Sequence, residues 1–320
     1  MPDVTKTVDT AVEDAVAPPS AAEPAKGAGP AKEKARSLWG DAWADLRRNP
    51  YFLVSSVLIL ILLIITAFPG WFTSASATKG DLVHHYLGQP ELGKIGSEGW
   101  LGYDGQGRSV YSRLIHGTRA SVIVGICVTA IVTLVGGIMG MLAGYFGGVI
   151  DALLSRLTDI FFGIPFLLGA MVVLQSFTER TVWVVVFALA FLGWTQIARV
   201  MRGAVITVKQ ADYVHAAKAL GAGTGRILLR HILPNAMAPV IVVATIALGG
   251  YISAEATLSY LGLGLSAPTI SWGVDISAGV QQIRTAQHIL LYPSIMLSLT
   301  VLAFIMLGEA VRNALDPKLR

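Results

Sequence analysis

The sequence predicts an all-α, polytopic membrane protein with six transmembrane helices and both termini cytoplasmic. Three observations carry that expectation. The chain of 320 residues is 54% hydrophobic with a mean hydropathy of +0.63. Only 14% of it is charged, against about 25% in soluble domains. Six apolar runs approach or exceed the roughly 20 residues that cross a bilayer as helix, and Lys and Arg flank them unevenly.

Residues 1–46 are assigned to a cytoplasmic tail. Up to Lys34 it is rich in Ala, Pro, Glu and Lys and lacks aromatics, a composition that predicts disorder. No apolar core follows a short basic start, so a signal peptide is not expected. The first transmembrane helix is assigned to 47–69, with the apolar run Tyr51 to Phe68 stopped by Pro69-Gly70. An extracytoplasmic segment, 70–119, carries Trp71 and Trp100, candidates for interfacial anchors together with Trp272.

The membrane core is assigned to 120–312. Its runs are Ala120 to Tyr145, Leu157 to Phe177, Val182 to Val200, Ala236 to Leu258 and Ile289 to Val311. Gly136, Gly140 and Gly144 form a small-residue ridge that lets helix backbones approach, and Gly147-Gly148 breaks that helix. A second outer segment covers 262–288, and 313–320 is a cytoplasmic tail. This orientation puts Arg199, Arg202, Lys209, Lys218, Arg226, Arg230 and Arg312 inside. Arg108, Arg113 and Arg119 oppose it locally.

The segment 204–235 interrupts this pattern. Asp212 is expected to cap a short helix with Tyr213, Ala216, Ala217 and Leu220 on one face. Gly221 stands where a helix ends in the left-handed conformation. Thr224 is expected to cap a second helix, which Pro234 ends because it lacks an amide donor. The product is a helix-turn-helix on the membrane surface, a knob able to enter a partner's groove. An ordinary interfacial loop is the plain alternative.

Several chemistries find no support. No basic stripe is interleaved with aromatics, so nucleic acid is not an expected partner. Cys127 is a lone cysteine in an apolar run. No GxxxxGK[ST] occurs, and the glycine-rich Gly221 to Arg226 lacks its Lys and follows no strand. No catalytic residues and no metal site are assigned: His116, His231 and His288 fall at helix ends, and His84-His85 reads as a solvated outer pair. An intramembrane enzyme would need a buried nucleophile and base. A secondary carrier working alone would show inverted repeats, and none is clear.

Ala216-Ala217, Gly221 and Ile232-Leu233-Pro234 resemble the EAA loop of ATP-binding-cassette importer permeases, with His215 where Glu usually leads and His231 at a usual Ile. GWLGYDGQGRSVYSRLIHGTRAS resembles the family's LGTDxxGRDxxSRLxxGxRxS signature, with Tyr103 for Thr and Ser109 for Asp. AGYFGGVIDALLSRLTDIFFGIP, EATLSYLGLGLSAPTISWG and ALDPKLR match in order. Together they are similar to the peptide and nickel subfamily, on the dipeptide and oligopeptide permease C side.

The resemblance implies the type I ABC importer permease fold and half of a solute pathway. Its implied partners are a second homologous permease of the B type, two ABC ATPases and an extracytoplasmic solute-binding protein, with the lipid bilayer around the spans. Tyr213, His215, Ala216, Ala217, Leu220, Gly221, Leu233 and Pro234 become ATPase-coupling candidates. The chain itself needs no cofactor, because ATP and Mg belong to the ATPases. Di- and oligopeptides are the implied cargo, with nickel chelates or glutathione-like solutes as the alternative. Ionisable residues near spans are functional suspects. Asp151, Arg156 and Asp159 are expected in an ion-pair role, and Glu255 is expected to pair with a partner arginine or to line an outer gate.

Overall fold

The computed structural model describes residues 38–315. The expected disorder up to Lys34 and the end of the ALDPKLR motif therefore lie outside the described residues. Residues 38–46 of the assigned tail form helix α1, Leu38–Leu46. Helix α2, Pro50–Ala67, starts on Asn49, whose side chain accepts the Tyr51 amide, with Pro50 in the first turn. A 3-10 turn, Pro69–Trp71, and the one-turn helix α3, Leu82–His85, follow.

Helix α4, Val110–Phe146, has 37 residues, about 55 Å at 1.5 Å per residue. It begins ten residues earlier than its apolar run, so the last part of the expected outer segment 70–119 is helical. The cause is local. Asp104 Oδ1 accepts the amides of Gln106 and Arg108 at 2.8 and 2.9 Å, and Ser109 caps α4 through the Ser112 amide. The LGYDGQGRS stretch is thus a turn that launches a helix.

The third expected span is broken. Helices α5, Gly148–Phe162, and α6, Phe166–Gln175, meet at 83°. Pro165 cannot donate to the ladder and disfavours helix at Ile164, and Gly163 precedes both. Helix α7, Val182–Lys209, is capped by Thr181. After α8, Asp212–Ala219, come α9, Thr224–Arg226, a π-helical stretch, Ile227–Ile232, and α10, Leu233–Tyr260. Helices α11, Trp272–Gln281, and α12, His288–Leu315, complete the fold.

Among the described residues, five helices are long and apolar enough to cross a membrane, and the α5–α6 pair makes a sixth when it is counted as one broken span. The glycine ridge packs as expected. A Cβ at Gly140 would meet the Ala198 carbonyl, and one at Gly144 would lie 2.8 Å from the Arg202 carbonyl. Backbone contact between α4 and α7 therefore depends on these glycines. The main core joins Val124, Val128 and Val132 of α4 to Leu189 and Ile197 of α7 and Val240 of α10. Outward, Val57, Leu60, Leu299 and Leu302 are exposed, as apolar side chains bathed in lipid are.

At the end away from α8, α11 and the 69–109 segment close over the bundle. Arg113 is buried against Asp275 in an ion pair and donates to the Ala77 carbonyl at 3.1 Å. His288 Nε2 lies 3.1 Å from the Tyr103 carbonyl. Trp272 is wholly buried and donates to the Leu114 carbonyl at 3.1 Å, so it is a core residue and not an interfacial anchor. Trp71 is exposed and stacks on Phe68. His84 is exposed and hydrogen-bonded to Asp81, and that bond holds the Asp81 carboxyl below its usual range.

Candidate coupling and transport sites

Helix α8 owes its existence to alanines and to its ends. Asp212 in the first turn and Lys218 in the last oppose the helix dipole. The cap position itself is Ala211, with no side-chain bond, so Asp212 acts by charge rather than as the expected cap. Gly221 adopts φ +79, as its position predicted. Its amide donates to Lys218 O at 2.9 Å and that of Ala222 to Ala217 O at 3.0 Å, the two bonds of a Schellman ending. Val214 is buried beneath the helix, while Tyr213 is 46% and Leu220 88% exposed. His215 and Ala216 are also exposed, and Ala217 is half-buried. Partial burial pushes the Tyr213 phenol above its usual range.

The second limb differs from expectation. Gly223 holds the cap position in place of Thr224, and Pro234 does not end a helix. The backbone runs through it because the turn before it is widened. The Leu233 amide reaches Leu228 O, a five-residue step that makes room for the proline. Asn235 Nδ2 then donates to His231 O at 2.7 Å. Leu233 and Pro234 thus sit in the first turn of α10, and α8 is joined to a single long helix of 37 residues.

A cleft of about 320 Å³ separates α8 from the ends of α4, α5 and α7, with Gly147, Asp151, Lys209, His215 and Lys218 on its walls. Lys209 donates to the Tyr145 carbonyl at 2.5 Å and lies 5.4 Å from the Tyr145 ring, and Lys218 lies 5.9 Å from the same ring. The Lys218 contact seats α8 against α4, and Lys209, the last residue of α7, reaches the same ring. Asp151 and Asp159 do not pair with Arg156. Asp151 takes both arms of Arg202, at 2.5 and 2.7 Å, and Asp159 takes Arg199 at 3.0 Å. Arg199 also covers the Phe162 ring at 3.9 Å. Arg156 is exposed and makes no ion pair with a described residue. On a helix, positions 151, 155 and 159 share a face, and α7 lies against it, while 156 turns away.

Glu255 is wholly buried. It accepts Ser121 Oγ and Ser259 Oγ, each at 2.9 Å, with no arginine beside it among the described residues.

The α5–α6 break opens a groove of about 580 Å³ between α5, α6, α7 and α10. Phe161, Pro165 and Phe166 form the elbow, and Thr195, Gln196, Tyr251, Ser253 and Thr257 supply the polar groups. Tyr251 reaches the Gly193 carbonyl at 3.3 Å. Hydropathy alone hid this groove, because the apolar run continues across Gly163-Ile164-Pro165. That tripeptide was the available signal.

A broken span beside a groove, several unbroken spans and a short surface helix between two of them define a membrane transport subunit. Residues 136–320 match the model of the binding-protein-dependent transport system inner membrane component family, and 37–88 match the N-terminal transmembrane domain of oligopeptide transport permease C. The chain belongs to this family of multi-pass permeases. It is 33% identical over 288 residues to the oligopeptide transport system permease protein OppC of Bacillus subtilis, covering 90% of this chain and 92% of that one. It is 35% identical over 290 residues to the dipeptide transport system permease protein DppC of the same organism, covering 90% and 88%. To the glutathione transport system permease protein GsiD of Pectobacterium atrosepticum it is 33% identical over 286 residues, covering 89% and 93%.

Proposed function

We propose that this chain is the C-type permease of an ATP-driven importer of di- and oligopeptides. It forms half of the pathway with a second, homologous permease. An extracytoplasmic binding protein delivers cargo on the α11 side, and two ATPases, which hold the ATP and magnesium, dock on the α8 side. The peptide reading rests on the names of the relatives, and a glutathione-like cargo is the alternative because the GsiD proteins are of similar identity.

The observation that carries the coupling role is Leu220, an apolar side chain 88% exposed at the tip of α8. Next to it a Cβ built on Gly221 meets nothing within 4 Å. Together with the exposed Tyr213 and Ala216 on the same helix, Leu220 gives α8 an apolar tip suited to a protein groove. ATP-driven closure of the ATPases would then carry α8, and through the unbroken helix from Thr224 to Tyr260 move a wall of the groove. Tyr213, His215, Ala216, Ala217 and Gly221 form the rest of the contact, and Leu233 and Pro234 pass the motion to α10.

Reconstitution with both ATPases, the second permease and the binding protein tests this. Leu220→Asp and Gly221→Val are expected to leave assembly near normal and lower ATP-dependent peptide uptake at least tenfold. Uptake at the parent rate in both would remove the coupling role from α8. A binding protein that takes glutathione and no peptide would establish the alternative cargo.

A further inference from the structure

Glu255 holds two separate points of the outer segment through two serines. On one arm, Ser259 Oγ donates to Glu255 Oε1 at 2.9 Å and accepts the Leu265 amide at 2.9 Å. On the other, Ser121 Oγ donates to Oε2 at 2.9 Å and lies 3.4 Å from the Trp272 amide. Each serine hydroxyl has one proton. The carboxylate accepts the hydrogen bond of each hydroxyl and so turns the serine lone pairs toward the backbone amides. The carboxylate, both hydroxyls and residues 265 and 272 are all buried.

Between the two anchor points, Ser266, Ala267 and Pro268 are exposed. Neither anchor has room to shift. A Cβ on Gly264 would lie 2.6 Å from Ser259 Oγ, and one on Gly273 would lie 2.6 Å from the Ala256 Cα. The helix bearing Glu255 also bears Tyr251, Ala254 and Thr257 on the groove wall. Arg180, in the loop before α7, donates to the Gly262 carbonyl at 2.6 Å and so ties this segment to the loop between α6 and α7.

We propose that Glu255 is a positioning residue for transport: its two oxygens fasten both ends of the 265–272 segment to α10 and α4, so that the segment moves with the groove wall. The role is one of reach and acceptor geometry and needs no cationic partner. A carboxylate one methylene shorter cannot serve both serines. A glutamine keeps the reach, keeps an oxygen on one arm, and lets the other serine reorient.

The test uses the assembled complex with a spin label on a cysteine placed at Ala267, after Cys127→Ala. The inference rests on the transport reading only through uptake, since label mobility is independent of cargo and of ATPase docking. Glu255→Asp is expected to mobilise the label and lower uptake at least tenfold with basal ATP hydrolysis kept, while Glu255→Gln keeps at least half of the uptake and an immobile label. If Glu255→Asp does not assemble, Ser259→Ala cuts one arm alone, and it is expected to mobilise the label and lower uptake several-fold. Parent-like mobility and uptake in Glu255→Asp or Ser259→Ala would overturn the proposal. So would equal loss in Asp and Gln with the label still immobile, which would make the charge and not the reach the requirement.

Discussion

At the scale of single residues, the bundle's closed end rests on Arg113 and Asp275. Both side chains are nearly inaccessible, and Asp104 stands 3.7 Å from Arg113 Nε. Removing one member of such a pair leaves a charge buried without its partner, at a cost of about 3–5 kcal/mol. Arg113→Met is therefore expected to lower the melting temperature in detergent sharply, and Arg113→Met with Asp275→Leu to recover part of the loss. The sequence announced neither partner, since 162 residues separate them. The arginines near the start of α4 counted there only as exceptions to the charge bias. The same limit applied to Asp151 and Asp159, whose partners Arg202 and Arg199 lie on another helix.

At the scale of elements, spacing along the chain was a good guide wherever the cause was local. The ridge of Gly136, Gly140 and Gly144 was legible because a helix brings every fourth residue to one face. It yields a contrast within one helix. Gly140→Val would drive a side chain into the α7 backbone, whereas a Cβ on Gly137 lies 3.7 Å from the Met201 methyl, an ordinary contact. Gly140→Val is expected to destabilise by about 1–3 kcal/mol or more, in the range of overpacked cores, and Gly137→Ala to leave thermal unfolding nearly unchanged. Gly221 was legible for a similar reason, as a helix end needing positive φ. The π-helical turn before Pro234 was not, because it depends on where Leu228 and Asn235 find hydrogen bonds after the chain has been packed.

At the scale of the whole molecule, the proposed topology counts the bent α5–α6 pair as one span, which makes six crossings and puts both described ends, Leu38 and Leu315, on the α8 side. In that topology the exposed Leu220 and Ala267 lie on opposite faces of the membrane. With Cys127 replaced, a cysteine at Ala267 is expected to react with an impermeant maleimide in intact cells, and one at Leu220 only after permeabilisation. The reverse pattern would invert the proposed topology and put the ATPases on the wrong side of α8. The exposed apolar faces of α2 and α12 and the open groove at the α5–α6 elbow suit the proposed setting, in lipid and beside a second permease.

By itself the sequence determined that this chain lives in a membrane, where its apolar spans lie, and where a surface helix with a glycine ending interrupts them. Those features follow from hydropathy, helical period and backbone conformation, all of which act within a few turns. Tertiary structure alone decided that the third span breaks at 83° to open a groove, that the turn after Thr224 runs unbroken into α10, and that Glu255 answers to serines rather than to an arginine. Each of these depends on which distant group satisfies a buried polar atom or fills a gap between helices, and no spacing along one chain encodes that choice.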